Sequence, residues 1–189
     1  MDKRTDKRVL KTKSAILEAL LALMQEKEIE NITMKEIALR AKVDRKTVYN
    51  YYSGIHAVQE ALEEELARQF EEAMADVTYS LEEPYGLFAG LTKFLEENRD
   101  LYSKIARMKN NRQLLDKIVS FLRTKIIETI DSVGVFSAPK KELVANYVAV
   151  GMVSVYYEWF VSEEQPPLQE FSKDMHRLVM EGIFSYLTH

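Results

Sequence analysis

Residues 32–52 constrain this chain more than any other stretch, because they carry two helix-start signals separated by one tight turn. Thr33 followed three residues later by Glu36 is a capping box, in which the hydroxyl serves the Glu36 amide and the carboxylate reaches back to the Thr33 amide. Ile32 and Ile37 flank it as a hydrophobic staple. Asp44 is expected to cap a second helix in the same way, serving amides near Thr47, with Val43 and Val48 as its staple. The pattern predicts a short helix over 34–41 and another over 45–51. Ile37, Ala38, Val43 and Val48 would pack the two together, leaving Arg45, Lys46, Thr47, Tyr49, Asn50 and Tyr51 on the outer face of the second helix. Caps and staples mark helices in general, so a plain helical hairpin inside an all-α core satisfies them as well.

The outward side chains suit the major groove of double-stranded DNA. Arg45 and Lys46 match phosphates or guanine edges, Asn50 matches adenine, and Thr47 and Tyr49 match a thymine methyl or a phosphate. The runs Thr33-Met34-Lys35-Glu36-Ile37-Ala38 and Thr47-Val48-Tyr49-Asn50-Tyr51-Tyr52 resemble the DNA-binding segment of the TetR family of bacterial transcriptional regulators. In that segment a Thr-hydrophobic-Tyr triplet is followed by an aromatic pair. The resemblance covers the first four helices, and beyond about Leu66 it is one of length and helical layout only. It implies that Thr33, Arg45, Lys46, Thr47, Tyr49 and Tyr51 lie at the DNA. Two positions depart from the family pattern: Lys42 stands where the turn usually holds Gly, and Ile55, beside His56, stands where a phosphate-binding Lys is common. A left-handed backbone at Lys42 would cost roughly 1 kcal/mol or more. Phosphate binding then leans on Lys35, Lys46 and the N-terminal arm.

The formal net charge of −4 conceals an asymmetry. Through Ser53 there are 12 Lys and Arg against 8 Asp and Glu, a balance of +4, which leaves 14 against 22, or −8, for the remainder. Such a field favours approach to a polyanion with the first part leading. At 189 residues and 47% hydrophobic content the chain can fill one large domain or two small ones without cross-links. With Cys 0 there is neither a disulfide framework nor thiol chemistry. No stretch is long and uncharged enough to span a bilayer, and the start lacks the apolar region of a signal peptide, so a soluble cytoplasmic protein without a membrane partner is expected.

In chain order, Lys3, Arg4, Lys7, Arg8, Lys11 and Lys13 read as a basic arm, disordered and reaching phosphates or else a solvated charged terminus. A first helix follows from about Val9 to Lys27, marked by Ile16, Leu17, Leu20, Leu21 and Met24. Ser53-Gly54 is a break, after which Ile55, Val58, Leu62, Leu66, Phe70, Met74 and Val77 repeat along one long helix, a lever from the DNA-binding part into the rest. Sparse turn signals divide what remains into helices over 85–97, 101–108, 112–131, 140–160 and 168–187. The reading is all-α: an N-terminal three-helix helix-turn-helix domain over 1–53, followed over 54–189 by a larger antiparallel helical bundle for ligand binding and dimerisation, about nine helices in total.

Two late helices carry more apolar surface than one buried face can hold, which points to a four-helix homodimer interface including Tyr147, Val148, Gly151, Val155, Val179, Gly182, Ile183 and Tyr186. Full burial inside the monomer is the other reading of the same residues. The family resemblance implies the dimer. A ligand pocket would draw on Phe70, Met74, Phe88, Phe94, Tyr102, Phe121, Tyr156 and Trp159, with Met108 beside them and Asn146, Tyr147, Ser154 and Tyr157 as polar groups. These aromatics equally suit a plain core. His56, His176 and His189 form no metal-ligand pattern, and neither a phosphate loop nor a nucleophile elbow is present, so no cofactor, no metal and no catalysis are expected. The resulting expectation is a homodimeric repressor released from a pseudo-palindromic operator by an unknown small-molecule or protein effector. The alternatives are a helical protein-interaction module and a regulator or activator governed by a protein partner without a small ligand.

Overall fold

The structure is a computed structural model, and it describes residues 3–75, 77, 85–107, 111–134 and 136–188. Its described residues form nine α-helices and one 3-10 turn: α1 (Lys3–Met24), the 3-10 turn Ile29–Asn31, α2 (Met34–Arg40), α3 (Arg45–Tyr51), α4 (Ile55–Ala75), α5 (Tyr85–Glu97), α6 (Arg99–Ala106), α7 (Arg112–Val133), α8 (Ala138–Val161) and α9 (Leu168–Thr188). The all-α class and the helix count match expectation, and no helix among the described residues is long and apolar enough to cross a membrane.

The described chain divides into two compact units between Leu66 and Ala67, inside α4. The turn residues Ser53-Gly54 suggest an earlier boundary. The first unit extends further because the opening turns of α4 bury Val58, Leu62 and Leu66. Within this unit α2 packs on both α1 and α3. Ile16, Leu20, Ile37 and Val48 are fully or almost fully buried, each contributing roughly 1.5 to 3 kcal/mol of transfer free energy. Ile32 and Ile37, the two halves of the staple, are both in this core.

One local expectation is corrected here. The basic arm is not a tail ahead of the helix, because α1 already begins at Lys3; residues 3–24 contain neither Pro nor Gly and are rich in strong helix formers. Lys7, Arg8, Lys11 and Lys13 are exposed on that helix. The chain between α1 and α2 also carries the 3-10 turn, which buries Ile29 and had no cue in the surrounding charged residues.

In the second unit α7 packs along α8, α5 along α9, and α6 against α8. The short 134–137 connection makes α7 and α8 run in opposite senses. Pro139 lies in the first turn of α8, where its missing N–H costs no helical hydrogen bond. Phe70 is the aromatic centre, with the rings of Phe94 and Phe121 edge-on at 5.5 and 5.8 Å. Asn111 is buried ahead of α7, and its side-chain amide donates to the Ile105 carbonyl at 3.0 Å and the Ala106 carbonyl at 3.4 Å. It thereby satisfies orphan acceptors at the end of α6.

Candidate nucleic-acid interface and interior cavity

The hairpin of α2 and α3 is set by two devices. At its entrance the capping box is closed: the Glu36 amide donates to the Thr33 hydroxyl at 3.3 Å, the Thr33 amide donates to the Glu36 carboxylate at 2.9 Å, and the Thr33 hydroxyl donates to that carboxylate at 2.8 Å. Lys27 binds the other carboxylate oxygen at 2.5 Å. Lys27 first, and then the Thr33 donors, hold the Glu36 carboxyl down at about 2, from an ordinary value of 4.5. In the turn itself Lys42 has φ 55°, the left-handed conformation that glycine adopts without cost.

The second cap differs from expectation. Asp44 occupies the N-cap position of α3 in an extended conformation, but its side chain makes no capping hydrogen bond. Its backbone carbonyl instead accepts from the amides of Thr47 at 2.8 Å and Val48 at 3.2 Å. The carboxylate is exposed and acts on α3 only through its charge near the helix N-terminus.

Fully buried Val48 pins α3 to the unit, and four of its other side chains are exposed. Arg45, Lys46, Tyr49 and Asn50 are exposed, with Tyr49 at 45%, while Thr47 and Tyr51 are half-buried. Arg45 and Tyr49 are one turn apart and joined: the guanidinium donates to the phenol oxygen at 3.2 Å and lies 5.3 Å from the ring centroid. Thr33 and Lys35 are exposed at the start of α2, although the Thr33 hydroxyl is already engaged in the cap. Nearby acids are occupied by other bases, Glu36 by Lys27 and Glu26 by Arg40 at 2.7 Å. Among the described residues Arg45 and Lys46 form no ion pair, which leaves both able to meet a phosphate.

Three further residues of the same unit are exposed. Lys13 of α1 stands 5.8 Å from the centroid of the Tyr51 ring, a placement that follows once α1 is continuous through the basic arm. Lys42 is exposed in the turn. Leu39 near the end of α2 is 78% exposed, an apolar group suited to a thymine methyl. Its sequence context gave no signal, since leucine in an amphipathic helix reads as core. Ile55 is half-buried at the start of α4 and His56 is exposed beside it.

The second unit holds a partly open cavity of about 60 Å³. Of the eight residues named for a ligand pocket, Phe70, Tyr102 and Tyr156 line it, as does Tyr157 of the polar set. Phe94 and Phe121 lie behind Phe70, edge-on to its ring. Met74, Phe88 and Trp159 are buried but do not form its wall. Trp159 is held elsewhere, its ring N–H donating to the Pro166 carbonyl at 3.1 Å and the Arg99 guanidinium lying 5.1 Å from its centroid. Asn146, Tyr147 and Ser154 are exposed on α8, and Met108 lies outside the described residues. Burial raises the pKa of both Tyr102 and Tyr156, keeping both phenols neutral.

The dimer residues are divided. Tyr147 is 71% exposed on α8, alongside exposed Leu143 and Val150, and Leu178 is exposed on α9. Apart from their chain neighbours and their own helix backbone, no atom among the described residues lies within 4 Å of where a Cβ at Gly151 or Gly182 would be. Val155 and Val179 are half-buried. Val148 is corrected: at 4% exposure it belongs to the inner face of α8, one position along from Tyr147 and so about 100° around the helix. The side chains of Ile183 and Tyr186 lie outside the described set.

Comparison with known proteins gives two family matches. Residues 16–62 match the model described as bacterial regulatory proteins, tetR family, and residues 82–181 match the model described as transcriptional regulator C-terminal region. A curated relative, the uncharacterized HTH-type transcriptional regulator YxbF of Bacillus subtilis (strain 168), is 33% identical over 93 residues, which cover 47% of this chain and 24% of that protein. The match thus spans about a quarter of that relative's length. Among solved structures, the fatty acid degradation regulator FadR from Bacillus halodurans is similar with a TM-score of 0.69 at 18% identity, over 90% of this chain and 95% of that one. FadR from Bacillus subtilis, in complex with stearoyl-CoA, has a TM-score of 0.69 at 18% identity, over 89% and 98% of the two chains. The dihydroxyacetone kinase operon activator DhaS has a TM-score of 0.65 at 22% identity, over 91% and 96%. At such identities the structural likeness is one of fold.

Proposed function

The chain belongs to the TetR family of bacterial regulatory proteins, and from that premise we propose that it is a homodimeric cytoplasmic repressor, released from its DNA operator by an effector in the second unit. The observation that carries the DNA-binding reading is the exposed outer face of α3, where Arg45, Lys46, Tyr49 and Asn50 stand clear of the protein's own core. In this reading Arg45 and Asn50 read base edges, Lys35, Lys46, Lys13 and Lys42 neutralise phosphates, and Thr47, Tyr49 and Tyr51 support both kinds of contact. Two copies of α3 related by a two-fold axis would enter successive major grooves about 34 to 36 Å apart or somewhat more, so the operator is a pseudo-palindrome. The partner surface is the exposed apolar strip Leu143, Tyr147 and Val150 with Leu178, and Gly151 and Gly182 leave room for close approach. The cavity in the second unit supports a ligand-binding role there.

A gel shift against DNA upstream of the encoding gene, run at two salt concentrations, tests this function. Phosphate neutralisation imposes a steep fall in affinity with salt, whereas a helical module that binds proteins would not shift the DNA. Arg45→Ala or Tyr49→Ala is expected to weaken specific binding by about 1 to 3 kcal/mol without unfolding the chain. Unaltered operator affinity in both variants removes the role given to α3.

A further inference from the structure

We propose that Tyr49 is a positioning residue, which holds the Arg45 guanidinium as an oriented fork for a guanine in each operator half-site. The proposal rests on the DNA-binding reading above and deepens it, by dividing base readout from phosphate contact between neighbouring cations of α3.

Arg45 is the first residue of α3, at the end from which a recognition helix meets base edges, and Tyr49 follows it by one turn on the same face. The guanidinium is held in two ways: it donates to the phenol oxygen at 3.2 Å and lies 5.3 Å from the ring centroid. Tyr49 is the strut of the pair. Its backbone is fixed beside fully buried Val48, and its side chain is a rigid ring with few rotatable bonds. A free arginine gives up its rotamer freedom when it meets a base, whereas Arg45 has given up part of it before DNA arrives.

The choice of partner preserves charge. Two other cations of this unit are held by acids, Lys27 by Glu36 and Arg40 by Glu26, and each of those pairs is neutral as a whole. A phenol holds Arg45 without cancelling its charge, and the bond takes one of the several N–H donors of the guanidinium. The others remain for guanine O6 and N7, which accept together only from a planar fork presented in one orientation. A phosphate oxygen accepts a cation from many directions and gains little from such a tether. Lys46, the next residue, is exposed and has neither an ion pair nor an aromatic contact among the described residues, which suits it to a phosphate. The same helix thus carries an oriented cation and an untethered one side by side.

The test selects bound sequences from a randomised DNA library with the full chain, and then measures fluorescence anisotropy on the recovered operator. Tyr49→Phe keeps the ring and removes the oxygen that accepts from Arg45; the residue is 45% exposed, so the variant keeps the parent's fold. It should bind the operator about three- to tenfold more weakly than the parent. It should also lose preference for guanine over an analogue that lacks N7 at a single position of each half-site. In an Arg45→Ala background the same change should alter affinity by less than about twofold, because Tyr49 then has nothing to hold. The proposal is overturned if the two substitutions are additive, or if Tyr49→Phe weakens every sequence equally, including operators in which that guanine is replaced. Either result makes the phenol a DNA contact in its own right. A selection that recovers no preferred sequence removes the DNA-binding reading and this proposal together, whereas additivity on a recovered operator removes only the role of Tyr49.

Discussion

The two compact units solve opposite problems with the same helical material. The first closes on a small core through signals that lie three or four residues apart, and keeps its functional side chains outside. The second builds its core from residues far apart in the chain, such as Phe70, Leu91, Tyr102, Leu122 and Tyr156, and keeps its candidate site inside. Its exposed face carries apolar groups, as Tyr147 and Leu178 show, whereas the hairpin of the first unit presents Arg45 and Lys46 outward. A site made of local signals is therefore readable and rigid, while a site made of distant contacts has a volume that depends on how helices settle against one another.

Core truncation should separate inside from outside most strongly. Ile37 is fully buried between the two halves of the hairpin, and Ile37→Ala should cost about 3 kcal/mol in chemical denaturation. Leu143→Ala, on the exposed face of α8, should stay within about 0.5 kcal/mol. Equal losses would erase the contrast between a paired core and an unpartnered strip.

Next in size is Tyr147→Lys. If the exposed strip on α8 is a partner surface, a charge at its centre should weaken self-association by about 1 to 2 kcal/mol in sedimentation equilibrium, with the helical content intact. An unchanged dissociation constant would return Tyr147 to the ordinary solvated surface.

A smaller and opposite change is expected at the turn. Lys42→Gly relieves the φ of 55°, less the extra entropy that glycine brings to the unfolded chain, and should raise the melting midpoint by the equivalent of up to about 1 kcal/mol. Because Lys42 also faces outward, the same variant should lose DNA affinity slightly, and a gain in both would remove its phosphate contact.

The least effect lies in the acid range. Glu36 titrates at about 2 in the folded protein against 4.5 ordinarily, so the folded state favours its ionised form. That contribution is complete above the unfolded value and disappears as pH falls from about 4.5 toward 2. The stability difference between the parent and Glu36→Gln should accordingly be flat from pH 5 to 8 and shrink below it. Lys27→Met should move that shrinkage to higher pH, since Lys27 is the largest cause of the depression.

How far each feature was legible follows from the range of the interactions behind it. The Thr33-Glu36 box, the span Arg45–Tyr51 and the exposure of Arg45, Lys46, Tyr49 and Asn50 were readable because caps and helical periodicity act over a single turn. The same reasoning overreached at Asp44, where the right residue occupies the right place but leaves the hydrogen bonds to its backbone. Leu39 gave no signal because an exposed leucine and a buried one look alike in sequence.

Sequence alone determined that this chain is all-α and that its hairpin carries Arg45 and Lys46 on an outer face, and the family resemblance marked Lys42 as standing where the turn usually holds glycine. Tertiary structure decided which aromatics wall the cavity, sending Phe70, Tyr102 and Tyr156 to it and Trp159 to a contact with Pro166. It also decided that Val148 turns inward while Tyr147 turns out. The physical reason is that helix formation and capping depend on neighbours along the chain, whereas burial depends on which other helix arrives at that face, and composition does not encode that meeting residue by residue.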